Sequence, residues 1–187
     1  AGVISVIGIA RYLVENKITP AYTTNFFIST YEEVKIIFKN ALEGKTLSRE
    51  DEDKYVRYLF INLANEYKKR NWVMQIHLSV IRNQNTDITN KLGPDSGFDS
   101  VGNIVDSNSI NNFFNEIEVT SGMPKTILFT LNSVSYPILA TAAGNFSTEI
   151  PGKVQIGPAW WFCDNKDGIK ENLKVITNSG LLGLFNG

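Results

Sequence analysis

The only histidine of the chain, His77, lies inside the stretch WVMQIHLSVIRN (residues 72–83), five residues before Arg82. A histidine titrates near neutral pH, so it can serve as a general acid or base or as a metal ligand. An arginine just beyond a strand end can bind a carboxylate through two parallel hydrogen bonds. From this stretch alone, a packed core histidine is the commoner case, and an ordinary surface ion pair suits Arg82 equally well.

A second group of chemically distinctive residues lies in AWWFCDNKDG, residues 159–168. Trp160 and Trp161 are adjacent, and adjacent side chains on an extended stretch point in opposite directions. We therefore expect one of them to pack in the core and the other to line a pocket. Cys163 is more typical of a small buried residue than of a metal ligand. As the single cysteine it cannot form an internal disulfide, which fits a reducing compartment.

The segment between these two groups, residues 83–107, is long and polar. Loops of more than about 15 residues inside compact domains are uncommon and tend to be lids or binding loops. Its LGPDSGFDS stretch supplies glycines for tight turns and carboxylates at Asp95 and Asp99. An aspartate after a proline is also a common turn former. The segment is therefore predicted to be a functional loop.

The motifs of several protein classes are missing from this sequence. There is no G-x-S-x-G turn and no G-x-x-x-x-G-K-[ST] loop, and GNIVDSNS is not a dinucleotide fingerprint. Zinc needs about three protein ligands, so His77 with one carboxylate would supply only part of a site. Lys and Arg total 18 against 19 Asp and Glu, which favours neither nucleic acid nor membrane as a partner. The apolar start is interrupted at Arg11, short of the roughly 20 residues that a membrane span needs.

Hydrophobic periodicity predicts that strands and helices alternate along the chain. The predicted strands are residues 3–9, 72–80, 125–132, 153–158 and 180–187. The predicted helices are residues 30–44, 48–71, 107–117, 136–146 and 169–179. Such an alternation indicates right-handed βα units and a parallel sheet, hence an α/β fold. The continuous apolar run at 72–80 is typical of a strand covered on both faces.

The second predicted helix has the clearest pattern. Ser48 is its expected N-cap, acidic residues fill its first turns, and Lys68, Lys69 and Arg70 close it, in the order that the helix dipole favours. Its apolar residues recur at helical spacing, and this stripe is expected to pack on a sheet. The stripe consists of Tyr55, Leu59, Leu63 and Tyr67, with Val56 and Phe60 beside them.

In parallel α/β folds, functional groups lie at the carboxyl ends of the strands and in the loops that follow. The distinctive residues all fall at such positions, and this favours a functional role for the histidine over a core role. They are His77, Arg82, Asn132, Trp160, Trp161 and Asp164.

Four motifs, taken in order, resemble the uronate isomerase (glucuronate isomerase) family. They are WVMQIHLSVIRN, KLGPDSGFDS, KTILFTLN and KVQIGPAWWFCDNKDGI, and the resemblance covers roughly residues 42–187. It implies an amidohydrolase-like (β/α)8 TIM barrel, of which about five of the eight strands are present, as one partial barrel domain over residues 1–187. The family interconverts D-glucuronate with D-fructuronate and D-galacturonate with D-tagaturonate in bacterial uronate breakdown.

The resemblance also implies roles for particular residues. His77 corresponds to the family's strand-end histidine, a catalytic residue and a candidate ligand of a divalent metal, most typically zinc. Arg82 corresponds to an arginine that anchors a carboxylate or hydroxyl of the hexuronate substrate. Trp160 and Trp161 correspond to the family's tryptophan pair, one of which walls the sugar pocket. The expected location is the cytoplasm.

The chain departs from the family in three places. It contains no His-x-His pair, the counterpart of the family's Ser-Asp-His-Gly is Ser5-Val6-Ile7-Gly8, and it ends at Gly187 where a Thr-Asp-Ser-Arg stretch would begin. We therefore expect a C-terminal-half fragment of a uronate isomerase that is inactive alone. Open strand edges predict a homo-oligomer or association with the missing half of the barrel. The alternative is a non-catalytic α/β domain that binds an acidic sugar or a partner protein.

Overall fold

The computed structural model describes residues 31–180. The strand predicted at residues 3–9 therefore lies outside the described residues, as does the strand predicted at 180–187 except for Gly180. The described residues fall into two compact units that divide after Asn62. The prediction of a single domain over residues 1–187 remains a prediction.

The first unit contains helix α1 (Tyr31–Leu42) and most of helix α2 (Arg49–Lys69). Ser48 caps α2 as predicted: its Oγ accepts a hydrogen bond from the backbone N–H of Asp51 at 3.1 Å, and the Asp51 carboxylate accepts one from the Ser48 N–H at 3.3 Å. This reciprocal pair satisfies two backbone donors that the first helical turn leaves open.

The apolar stripe of α2 is less buried than predicted. Leu59 is buried, Tyr55 and Leu63 are half-buried, and both Val56 and Phe60 are exposed. The helical spacing of the apolar residues predicted the helix correctly, but fewer of these residues are buried than this spacing predicted. In the first unit, the ring of Tyr55 instead stacks on Phe38 of α1, with centroids 5.9 Å apart.

The second unit is built on a parallel sheet of three strands in the order β1 (Val73–Leu78), β4 (Lys125–Thr130), β5 (Val154–Ile156). Val73 pairs with Lys125, and Thr126 pairs with Val154. Each strand is followed by a helix, as the predicted βα alternation requires. Helix α4 (Ser107–Ser121) lies between β1 and β4, α5 (Tyr136–Asn145) lies between β4 and β5, and α6 (Lys166–Ser179) follows β5.

The two faces of this sheet differ sharply in burial. On one face the side chains are buried, and helix α5 packs against β5 while α4 and α6 pack against α5. On the other face Val73, Gln75 and His77 are exposed, and Ile127 and Phe129 of β4 are half-buried. The prediction that β1 is covered on both faces is therefore wrong for the described residues. The buried residues are Met74, Thr126, Leu128, Val154 and Ile156.

The segment 83–107 has more regular structure than a loop. It contains helix α3 (Thr86–Leu92) and strand β3 (Ser100–Val101), which pairs antiparallel with β2 (Val80–Ile81). Between β1 and β2, Ser79 has φ 59°, and its carbonyl accepts a hydrogen bond from the Gly102 N–H at 2.7 Å. The positive φ ends the parallel strand and turns the chain into the β2–β3 ribbon.

Three of the helices begin at side-chain caps that the sequence predictions missed. Asn85 caps α3, Asp106 caps α4 and Asn165 caps α6, each by accepting a backbone N–H from three residues ahead. The predicted helices at 107–117 and 169–179 are confirmed but are longer than predicted. Between residues 31 and 180, no helix is long and apolar enough to cross a membrane.

Candidate functional site

His77 lies at the carboxyl end of β1, directly opposite Phe129 of β4 in the parallel register. The two rings stack with their centroids 5.0 Å apart and their planes 9° from parallel. The ring of Trp160 meets the imidazole edge-on, with centroids 4.6 Å apart. His77 is thus an exposed residue of the open sheet face, held between two aromatic rings, and not a buried core histidine.

The surroundings of His77 favour the neutral imidazole. Partial burial lowers its pKa below the usual value for histidine, and the positive charge of Arg82 lowers it further. A neutral imidazole has one ring nitrogen free to accept a proton. The position is therefore suited to a base near neutral pH.

A close approach behind His77 fixes the ring of Phe129. A β-carbon built on Gly157, the residue after β5, would lie only 2.4 Å from a ring carbon of Phe129. The Gly157 N–H donates to the Leu128 carbonyl at 2.9 Å. Glycine at this position therefore leaves the room that the ring needs in order to reach the imidazole.

Trp160 and Trp161 lie side by side, against the prediction that they point in opposite directions. Their ring centroids are 5.7 Å apart. Trp160 is extended, with φ −130° and ψ 139°, but Trp161 has φ 50° and begins a 3₁₀ turn (Trp161–Cys163). The alternation rule holds only along extended backbone, and the left-handed residue ends it.

The 3₁₀ turn Trp161–Cys163, called the tryptophan turn below, is held in place by contacts with neighbouring elements. The Cys163 thiol, which is half-buried, donates to the Leu131 carbonyl at 3.3 Å. A β-carbon on Gly168 would come within 2.1 Å of the Cys163 carbonyl oxygen, so α6 can approach the turn only through a glycine. The nearby phenol of Tyr136 is buried, and this burial raises its pKa, with the Cys163 thiol contributing.

Arg82 joins the tryptophan turn to the segment that follows β2. Its guanidinium carbon lies 5.0 Å from the ring centroid of Trp161, in cation–π contact. Its Nη1 lies 3.1 Å from an oxygen of Asp99 and 3.7 Å from an oxygen of Asp95. The ion pair that spacing left open is therefore present, and it involves both carboxylates of the LGPDSGFDS stretch.

Hydrogen bonds to backbone groups hold these two carboxylates. The second oxygen of Asp99 accepts the Asn83 N–H at 2.9 Å, and the side-chain oxygen of Asn83 accepts the Asp95 N–H at 2.9 Å. Asn83 and Asp95 have φ 56° and 60°, a conformation that asparagine and aspartate tolerate better than most residues. Asp95 is thus a turn residue and a charged partner of Arg82 at once.

Asn132 and Asp164 have structural contacts instead of a place in this cluster. The Asn132 amide donates to the Gly102 carbonyl at 2.9 Å, and its oxygen caps the 3₁₀ turn Ser133–Ser135. The backbone N–H of Asp164 closes the turn onto the Trp161 carbonyl at 2.9 Å. Sequence reasoning missed Phe129, whose contact with His77 depends on a strand register that sequence does not specify.

A metal centre cannot be completed from the described part of the chain. No three side chains among His, Cys, Asp and Glu converge between residues 31 and 180. The carboxylates of Asp95 and Asp99 are engaged with Arg82, and His77 is held by aromatic rings. These residues do not fit a whole metal site, so we derive no chemical step through a metal.

The cluster forms one continuous wall along the carboxyl end of the sheet. Arg82 lies over Trp161, Trp161 adjoins Trp160, and Trp160 meets His77. The wall offers one fixed cation, two aromatic rings and one titratable group. Such a surface can bind a small polar molecule that has an anionic group and an apolar face.

The family profile of glucuronate isomerase matches residues 19–187. The uronate isomerase of Shouchella clausii is 44% identical over 166 residues, which are 88% of this chain and 35% of that protein. The uronate isomerase of Caldanaerobacter subterraneus is 45% identical over 157 residues, which are 83% of this chain and 34% of that protein. The chain therefore spans about a third of the length of these relatives.

Two solved structures resemble the fold. The crystal structure of uronate isomerase from Thermotoga maritima matches with a TM-score of 0.74 at 24% identity, covering 84% of this chain and 34% of that one. Glucuronate isomerase from Caulobacter crescentus matches with a TM-score of 0.68 at 24% identity, covering 86% and 32%. The likeness confirms the fold prediction, an α/β fold of parallel βα units forming part of a (β/α)8 barrel. By the extent of the profile match, the chain belongs to the glucuronate isomerase family.

Proposed function

We propose that this chain supplies one side of the active site of a uronate isomerase, which interconverts D-glucuronate with D-fructuronate and D-galacturonate with D-tagaturonate. The main observation in support of this proposal is that four residues converge into one wall at the carboxyl end of the sheet: Arg82, Trp161, Trp160 and His77. A hexuronate has both groups that this wall suits, a carboxylate and a ring or chain with an apolar face.

Each residue of the wall has a distinct part in the proposal. The Arg82 guanidinium binds the substrate carboxylate or a hydroxyl, since its planar fork matches a carboxylate in a bidentate arrangement. Trp160 bounds the sugar, and Trp161 supports the guanidinium from behind. His77, with its lowered pKa, is the group that exchanges a proton with the substrate.

The chain alone is proposed to bind a uronate without turning it over. An aldose–ketose isomerisation moves a proton between neighbouring carbons, which requires an acid and a base, and the enediolate requires positive charge nearby. In the described residues His77 is the single titratable group of the wall that is not paired with Arg82. The catalytic divalent metal of the family, with zinc as the proposed ion, would need further ligands.

The exposed sheet face supports a proposal about partners. Val73, Gln75 and His77 leave one face of β1 open, and β1 is also an edge strand of the described sheet, where unpaired backbone groups favour pairing with a further strand. We propose that this face associates with the complementary part of the barrel or with a second copy of the chain. The proposed location is the cytoplasm, where the free thiol of Cys163 stays reduced.

Thermal unfolding in the presence of D-glucuronate tests the binding proposal. A ligand that binds the folded state raises the midpoint, by an amount that grows with ligand concentration above Kd. The rise should disappear in Arg82→Ala and persist in Arg49→Ala, which removes an exposed, ion-paired arginine of α2. D-Glucose, which has no carboxylate, should give no rise. Equal rises with both sugars would contradict the role of Arg82.

The alternative function is uronate binding without catalysis. The pairing of Asp95 and Asp99 with Arg82 favours it, because these carboxylates are then not free to act as acid or base. One experiment distinguishes the enzyme from the binding domain: the remaining two thirds of a relative's barrel are added as a separate polypeptide, with zinc. Restored isomerisation of D-glucuronate supports the enzyme; binding without any product supports the alternative.

A further inference from the structure

We propose that the two carboxylates beside Arg82 have opposite roles: Asp99 positions the guanidinium, and Asp95 occupies the place that an incoming carboxylate ligand takes. This inference rests on the proposed function, in which Arg82 binds the carboxylate of a sugar acid. It adds a positioning residue and a displaceable internal competitor to that site.

The environment of Asp99 is that of a fixed partner. Its side chain is only 2% exposed, and both of its oxygens are engaged, one by Arg82 Nη1 at 3.1 Å and the other by the Asn83 N–H at 2.9 Å. A buried carboxylate needs such donors, and charge-assisted hydrogen bonds are the stronger kind. Releasing Asp99 would leave a buried charge without its partner, so this contact persists when a ligand binds.

The ring of Trp161 fixes the guanidinium in the remaining direction. Asp99 binds Nη1, while the guanidinium carbon lies over the ring, 5.0 Å from its centroid. These two contacts hold the guanidinium from different sides. The donors that Asp99 does not use are then aimed in a fixed direction.

Asp95 has the properties of a partner that can be displaced. Its side chain is 48% exposed, and its oxygen lies 3.7 Å from Arg82 Nη1, beyond hydrogen-bond distance. Solvent-exposed ion pairs of this kind contribute little to stability. The flanking turn has φ 88° at Gly93 and 94° at Gly97, and β-carbons built there would meet nothing within 4 Å. The Asp95 N–H stays bound to the Asn83 side-chain oxygen at 2.9 Å, so the exposed carboxylate can turn away from Arg82 without a shift of the backbone.

The two roles predict binding changes of opposite sign. In Asp95→Asn the competing charge is lost, so D-glucuronate should bind about two- to fivefold more tightly. In Asp99→Asn the guanidinium loses its fixed edge, so binding should weaken about tenfold or more. Asp87→Asn is the matched control, because Asp87 is an exposed carboxylate of α3 paired with Lys91 at 2.7 Å. It should leave the affinity unchanged.

The experiment combines two NMR readouts on the complete chain. The first, without ligand, is the Arg82 Nε–Hε signal, which the ring of Trp161 shifts from its usual position. It should keep this shift in Asp95→Asn and lose it in Asp99→Asn. The second is a titration with D-glucuronate, with D-glucose as the ligand that lacks a carboxylate.

The outcomes separate this inference from the proposed function. If the wild-type chain fails to bind D-glucuronate, the proposed function and the role of Asp95 are contradicted. The positioning role of Asp99 can still be tested, because the Arg82 Nε–Hε signal is measured without ligand. Binding that changes in the same direction in both variants overturns the inference. If Asp99→Asn does not fold, Arg82→Lys retains the charge without the planar fork. Wild-type affinity in that variant overturns the positioning role.

Discussion

The two ends of the parallel sheet both gather charged side chains, but they use them differently. At the amino end, just before β5, Lys153 has a side chain only 1% exposed, with Nζ 2.8 Å from Glu149 and 3.9 Å from Glu118. Lys68 adds a hydrogen bond to the Met123 carbonyl at 3.2 Å. At the carboxyl end, Arg82 is half exposed, and one of its two carboxylate partners lies beyond hydrogen-bond distance.

This difference separates a stabilising cluster from the proposed binding cluster. The amino-end charges are paired with one another, and the hydrogen bond from Lys153, together with its charge, lowers the pKa of Glu149. The carboxyl-end groups stay accessible, with His77 exposed and Asp95 displaceable. Such a division matches the rule that barrel enzymes keep stability at one end of the strands and chemistry at the other. Substitutions at the two ends should therefore affect different measurements.

The largest effect is expected at the amino end. Lys153→Ala removes three buried methylene groups and the ammonium group, and should lower the free energy of unfolding by about 2–4 kcal/mol. The carboxylates left behind are partly exposed, so their lost pairing adds little. Urea unfolding followed by circular dichroism measures the change.

Two further variants decide which part of Lys153 matters. Lys153→Met retains the buried chain without the charge and should cost less than Lys153→Ala. Lys125→Ala, at an exposed lysine that opens β4, should change stability by at most about 0.5 kcal/mol. A Met variant as unstable as the Ala variant would show that the charge, not the chain, stabilises this end.

The next effect concerns the glycine that makes room for Phe129. In Gly157→Ala the new methyl group overlaps the ring, so stability should fall by about 1–3 kcal/mol. Because Phe129 stacks on His77, the histidine NMR signals should shift as well. Gly144→Ala is the control: it lies in α5 with nothing near its would-be β-carbon, and should stabilise by about 0.5–1 kcal/mol. A neutral Gly157→Ala would contradict the close approach.

Arg82→Ala should have a moderate effect on stability beside its large effect on binding. The pair with Asp95 is exposed on both sides and contributes about 1 kcal/mol or less. The Asp99 side chain is only 2% exposed and keeps the Asn83 N–H as its donor, so losing the guanidinium there should cost about 1–3 kcal/mol. Thermal unfolding without ligand measures this directly. A cost above that of Lys153→Ala would remove the distinction between the two ends.

The smallest effect is a change in the titration of His77. As the only histidine, it gives a single C2–H signal in a tag-free protein, which can be followed in the presence of a chelator. Its pKa should lie below the usual 6.5, because of partial burial first and the Arg82 charge second. In Arg82→Ala the pKa should rise towards the usual value. An unchanged pKa would mean that burial alone sets it.

The lowered pKa also fixes the sign of the pH dependence. Below pH 6.5 the unfolded chain binds a proton at this histidine before the folded chain does. The contribution of His77 to stability is therefore fully present above pH 6.5 and decreases as the pH falls through the folded pKa. Comparison with His77→Gln isolates this contribution from those of the carboxylates.

Much of the fold followed from patterns that sequence displays directly. Helix α2 was predicted from its cap and charge order, and β4 from its apolar run, because both signals are local. The helix α3 and the β2–β3 ribbon were missed, since Ser79, a residue with no special preference for positive φ, starts the ribbon. Burial was overestimated where it depends on neighbouring elements, as on β1.

The sequence predicted which residues come together better than it predicted the contacts between them. His77, Arg82, Trp160 and Trp161 do converge, because strand ends of a parallel sheet share one edge. Their contacts depend on the left-handed φ of Trp161 and on the strand register, and neither is encoded in a local pattern. The roles of these residues remain predictions that the variants above test.

Three residues around Arg82 have a left-handed backbone conformation, and this matters for the choice of stabilising substitutions. Asn83, Asp95 and Trp161 all have φ between 50° and 60°, where glycine is the least strained residue. Judged by backbone strain alone, Asn83→Gly is therefore a favourable exchange. It would also delete the oxygen that receives the Asp95 N–H, so the turn would lose its tie to the segment that follows β2. Relief of strain at Asn83 would thus remove the contact that places Asp95 beside Arg82.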